Sequence, residues 1–146
     1  MYNFFLQLHS GFRFIVMVLL LLAILQSLAG WFGNRPYTNI NRKINLFTLI
    51  SAHIQLLIGL ALYFISPLVQ FNSGAMKDDT TRYWTMEHIG LMIFAIILIT
   101  VGHARSKRVL APSGKHRTIA IYYSLALLVI VLTIMMSMRP FFGVSH

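Results

Sequence analysis

The sequence predicts an all-α fold, an integral membrane four-helix bundle, and three observations lead there. Of the 146 residues, 58% are hydrophobic and only 10% are charged, whereas a soluble domain carries about 25% charged residues. Four long apolar runs, at about 11–33, 44–66, 84–104 and 118–139, each approach the ~20 residues that cross a hydrocarbon core of ~30 Å. The runs are continuous and rich in Leu and Ile, without the alternation of a barrel strand. Backbone amides in lipid must be satisfied inside the segment, so the runs are read as helices. No polar stretch is long enough for a second core, and residues 1–146 are read as one membrane domain.

The first run has no Lys or Arg before Arg13. "SLA" at 27–29 resembles a signal cleavage site, but the missing basic flank favours a retained span. Trp31 near its end suits an inner aromatic belt, and Asn34-Arg35-Pro36 is a natural turn. The second run follows Arg42-Lys43 and contains "SAHIQLLIGL", with Tyr63 near its far end. Loop 67–83 precedes the third, within "YWTMEHIGLMIFAIILITVGHARSKR", whose Tyr83 and Trp84 suit an aromatic belt. Pro112-Ser113-Gly114 is read as the turn into the fourth, which ends with Met135, Met136, Met138 and Arg139.

The net charge of +9 resembles a nucleic-acid signal, but its distribution points elsewhere, and no nucleic-acid partner is expected. Basic residues gather at Arg35, Arg42 and Lys43, and at Arg105, Lys107, Arg108, Lys115 and Arg117. By the positive-inside rule both connections face the cytoplasm. Both termini and loop 67–83 are then expected on the outer, periplasmic side of a bacterial inner membrane. Lipid binding is a second reading of the basic loops. Cysteine is absent, which excludes disulfides and thiolate metal sites. Phosphate loops and metalloprotease patterns are missing, and no span is visibly broken as a transporter's would be.

Histidine placement carries the chemistry. His146 is terminal, and His116, between Lys115 and Arg117, is read as a solvated interfacial residue. His9, His53, His88 and His103 lie in or beside the spans, where a polar group normally faces the bundle interior and has a role. His88 and His103 are ~22 Å apart along one helix and roughly 60° apart in azimuth, so both can face the interior near opposite ends. Imidazole ligates haem iron, and a bundle can hold the flat macrocycle between helices. The expected ligands are therefore His9, His53, His88 and His103, holding one or two haem groups. His9 pairs naturally with His88. His53 is the candidate partner for His103, although their depths differ by ~10 Å on straight helices; His53 with His88 around a single central haem stays open.

Arg13 shares a helix face with His9. It could pair with Glu87 or with a haem propionate, and Glu87 could accept a proton beside a quinol. Gln26 and Gln55 are expected to make interhelical hydrogen bonds, and Gly59, Gly90 and Gly102 to mark close packing or close approach of a macrocycle. Met76, Met86, Met92, Met135, Met136 and Met138 raise a further alternative, Cu(I) held by thioethers and histidine, against ordinary use as gap-fillers.

"LHSGFRF", "SAHIQLLIGLALYF", "EHIGLM" and "GHARSKR" resemble a family of small bacterial four-helix membrane proteins labelled cytochrome b or cytochrome b-like, over essentially the whole chain. The resemblance implies haem b, with the histidines and Arg13 as its most recognisable elements. The leading reading of the spans and histidines together is an electron-transfer protein, rather than a self-contained enzyme, that exchanges electrons with quinone or within a respiratory complex. The alternatives are a non-catalytic accessory or assembly subunit, in which the histidines are polar glue, and outer-face copper handling.

Overall fold

The computed structural model describes residues 2–65 and 88–136, and among them every long element is an α-helix. In chain order these are α1 (Tyr2–Phe32), α2 (Asn39–Ile65), α3 (His88–Arg108) and α4 (Pro112–Met136). All four are long and apolar enough to cross a membrane, which makes this a multi-pass membrane protein. Loop 67–83, the expected start of the third span at 84–87 and the tail after 136 lie outside the described residues.

Local chemistry sets the helix ends, and it moves them from where hydropathy alone put them. α1 starts at Tyr2 and not near residue 11; its 31 residues extend ~46 Å, beyond a ~30 Å core. It stops where Asn34 takes a positive φ of 50° and the Arg35 N–H donates to Gly30 O at 2.9 Å. This is a Schellman-type end, and asparagine tolerates the left-handed position. α2 starts at Asn39 because Thr38 caps it. The Asn41 N–H donates to Thr38 Oγ1 at 3.2 Å, and the Thr38 N–H donates back to Asn41 Oδ1 at 3.0 Å, a reciprocal box. Pro112-Ser113-Gly114 is not a turn outside the helix. Proline supplies the first residue of α4, where its missing N–H has no helical partner to lose.

α1 packs on α2 and α4, while α3 packs closely on α4 and more thinly on α2. Going round the bundle the order is α1, α2, α3, α4, with α1 and α3 diagonal. The apolar core includes Leu20, Ala23, Ile24, Ala52, Ala95, Ile99, Ile119, Tyr123, Ala126 and Ile130. Alanine at the seams lets backbones approach, as lipid-embedded helices require. Gly102 does the same, since a Cβ there would run into Tyr122. Leu25, Leu57, Phe64 and Leu128 point outward and are exposed, as expected where the solvent is hydrocarbon.

Polar side chains are also buried: Ser10, Ser27, Asn45, Thr48, Ser51, His103, Ser106, His116 and Thr133. Several gather toward the end that carries the basic connections. Asn45 accepts from Gln26 Nε2 at 3.1 Å and donates to the Tyr37 hydroxyl at 2.8 Å. Its carbonyl accepts from the Tyr123 hydroxyl at 2.9 Å. One asparagine thus ties α1, α2, α4 and the α1–α2 connection together, because each polar group leaving water needs a partner.

Candidate functional site

At the opposite end, three helices bring His9, His88 and Gly59 together. The rings of His9 on α1 and His88 on α3 lie 6.3 Å apart, centroid to centroid, at an interplanar angle of 75°. They face across the bundle diagonal. Gly59 of α2 lies beside them, where an added Cβ would sit 3.4 Å from His9 Cε1. Gln55 Nε2 donates to the His9 carbonyl at 2.9 Å. That is an interhelical bond of the kind expected for Gln55, and it fixes the α1–α2 register at the site. His9 Nδ1 is buried without a hydrogen-bond partner among the described residues.

Two imidazoles that bind one metal ion from opposite sides, with metal–nitrogen bonds of about 2 Å, have ring centroids roughly 6 Å apart. The His9–His88 separation matches that requirement. On spacing and donor chemistry these are the two residues that would hold a haem iron.

Arg13 follows His9 by one helical turn, and its guanidinium lies 5.2 Å from the Phe14 ring. It is half-buried and on the same side of the bundle end as His9. Glu87, its expected ion-pair partner, lies outside the described residues.

The other two histidines occupy different surroundings. His53 is exposed on α2, and its Nε2 lies 2.9 Å from Thr100 Oγ1 on α3. Thr100 already donates its hydroxyl proton to Ile96 O, so the imidazole is the donor and carries its proton on Nε2. The bond bridges the thinly packed α2–α3 side. His103 is only 4% exposed, and neither ring nitrogen has a hydrogen-bond partner among the described residues. His53 and His103 share no described hydrogen bond or ring contact, so the structure brings one of the two expected pairs together.

His116 differs from its expected solvated role: it is 1% exposed. Its Nε2 donates to Pro36 O at 3.1 Å, and its ring meets Tyr37 edge-on at 5.1 Å. Gly30 makes the space, since a Cβ there would overlap the His116 ring. The basic neighbours Lys115 and Arg117 suggested water, and nothing local signalled the glycine across the bundle. Tyr37, also not singled out by its sequence context, has its phenol pushed above the ordinary range by burial. Hydrogen bonds from Asn45 and Ser106 and the Arg42 charge oppose that shift.

Among the described residues, no three His or acidic side chains converge as a multidentate metal site would require. For copper, Met135 is exposed and Met92 packs on the core. Met76, Met86, Met138 and the Met136 side chain lie outside the described residues. Comparison with protein-family models, curated proteins and solved structures finds no match to this chain. The cytochrome b-like resemblance therefore rests on the quoted motifs alone.

Proposed function

We propose that the chain is a haem b-binding electron carrier of the bacterial inner membrane, with His9 and His88 as the residues that would hold one haem, near the end of the bundle where α1 begins and α4 ends. The 6.3 Å separation of the two rings across the bundle is the observation that carries this reading. The orphaned His9 Nδ1 adds to it, as does the narrow backbone approach at Gly59.

Bound haem would supply one-electron chemistry at iron. The chain's own residues do the rest. Helical backbone holds His9 and His88 on facing surfaces, and the Gln55 bond to the His9 carbonyl keeps α1 from sliding. Arg13, one turn further into the bundle, would be the residue to meet a haem propionate. Outward-facing Leu, Ile and Phe on all four helices keep water away and lower the local dielectric. His53 stays outside this site, donating to Thr100. The orientation inferred from basic loops puts the haem at the periplasmic side, where quinone or a respiratory subunit would exchange electrons with it.

The polar-glue alternative draws on the His53–Thr100 bond and the Asn45 network, in which polar side chains tie helices together without a cofactor. The two readings separate in one experiment. The full chain, purified in mild detergent from haem-replete cells, should show sharp α and Soret bands in a reduced-minus-oxidised spectrum. A colourless, fully helical protein overturns the haem reading in favour of an accessory subunit.

A further inference from the structure

The basic end holds a charge problem that the histidines do not address. Eight of the twelve Lys and Arg residues lie on or beside the two connections there: Arg35, Arg42, Lys43, Arg105, Lys107, Arg108, Lys115 and Arg117. The chain has only three acidic residues, and all of them, Asp78, Asp79 and Glu87, fall on the α2–α3 connection and its approach to α3. No described residue is acidic, so neutralisation of these cations falls to anions that the described chain does not supply.

The charge is not spread evenly. Arg105 and Arg108, three residues apart in the last turn of α3, line a cleft of about 430 Å³ with Val109 of the α3–α4 connection and Thr118 of α4. Arg105 is held in place: its Nη1 donates to the Tyr122 hydroxyl at 3.0 Å, and its guanidinium lies 5.9 Å from the Tyr122 ring centroid. One N–H is used there, and the rest of the donor fork remains for another acceptor. Arg108 has no hydrogen-bond partner among the described residues. A simpler role for both would be to complement the carbonyl end of α3. Lys115 already takes part of that role, donating Nζ to Ser106 O at 2.9 Å.

The cleft's surroundings are amphipathic. Val109 forms part of its wall, and the next residue, Leu110, is 94% exposed. Away from the cleft but at the same end of the bundle, Trp31 of α1 stacks on Phe32, and Arg117 lies over the Trp31 ring. Guanidinium groups beside an unburied leucine, at the bundle end that carries Trp31 and Phe32, suit the boundary between headgroups and acyl chains.

We infer that Arg105 and Arg108 form a binding site for the phosphate diester of an anionic phospholipid, with Val109 and Leu110 against its acyl chains. Guanidinium forks match phosphate oxygens in bidentate fashion, and a cation near a membrane surface strengthens anionic-lipid binding roughly fivefold. The site is independent of the haem reading.

Native mass spectrometry of the full chain in detergent, offered equal phosphatidylglycerol and phosphatidylcholine, tests it. One phosphatidylglycerol should be retained at least roughly fivefold over phosphatidylcholine. Arg108→Gln should remove most of that preference, while Arg35→Gln, on the other connection, should leave it intact. Millimolar inorganic phosphate should not displace the lipid. Equal retention of both lipids, or equal losses from Arg108→Gln and Arg35→Gln, overturns a defined site. Displacement by phosphate overturns the lipid assignment. If Arg108→Gln does not fold, Arg108→Lys at native helicity must still weaken retention, because the fork is gone; unchanged retention overturns the proposal.

Discussion

Replacing Asn45 with alanine removes the side chain on which the basic end of the bundle converges. Asn45 is fully buried and makes two side-chain hydrogen bonds, from Gln26 Nε2 at 3.1 Å and to the Tyr37 hydroxyl at 2.8 Å. Interhelical hydrogen bonds in membranes average about 0.6 kcal/mol and reach about 1.7 kcal/mol, so losing two is worth roughly 1 to 3 kcal/mol. Gln26 keeps its bonds to Asn41, which favours the lower half of that range on its side. Tyr37 reaches into the bundle from a connection and depends more on Asn45. Tyr37→Phe alone should therefore lower stability by about 1 kcal/mol. The double variant should fall short of the sum of the singles by about 0.5 to 1.5 kcal/mol, the coupling that contacting residues show. Reversible unfolding in mixed micelles, followed by far-UV circular dichroism, measures all three. Additivity within about 0.3 kcal/mol would mean that the two side chains do not share a bond, refuting the network as drawn.

Other outcomes follow from the same packing. Gly102→Ala drives a methyl into the Tyr122 Cβ, which sits next to backbone and cannot swing away; overpacking should cost about 1 to 3 kcal/mol. Gly90→Ala meets nothing and should be neutral or stabilise by up to about 1 kcal/mol through helix propensity. The same unfolding assay separates the two. His53→Leu should lower stability by about 0.6 kcal/mol through the lost Thr100 bond and leave haem content unchanged. The raised Tyr37 phenol contributes stability that is complete below the unfolded phenol pKa of about 10 and is lost as pH rises through the folded value. Stability should thus decline at alkaline pH, and the decline should be shallower in Tyr37→Phe.

Hydropathy exposed the four spans because lipid leaves no other way to satisfy a backbone. The helix ends were partly readable. Thr38 with Asn41 and the Pro112 start are capping signals within a few residues, and a span count based on hydropathy passes over them. Side-chain direction was much less accessible. These helices are apolar nearly all round, so the pattern of Leu and Ile does not say which side faces lipid. That is why His53, exposed, and His103, buried, looked equivalent. Gln26 and Gln55 were exceptions: an amide inside an apolar span was enough to expect an interhelical bond, and their partners are Asn41 with Asn45 and the His9 carbonyl. His116 was beyond reach, since its burial depends on Gly30, 86 residues earlier in the chain.

The central claim is that His9 and His88 share one iron. Haem per chain, measured as the pyridine haemochrome on purified wild type and on His9→Ala, His88→Ala and His53→Ala, tests it most directly. The account predicts one haem in the wild type and in the His53 variant, and loss of the bis-histidine spectrum in each of the other two. Unaltered haem content and spectrum in His9→Ala and His88→Ala, or their loss in His53→Ala alone, would contradict it.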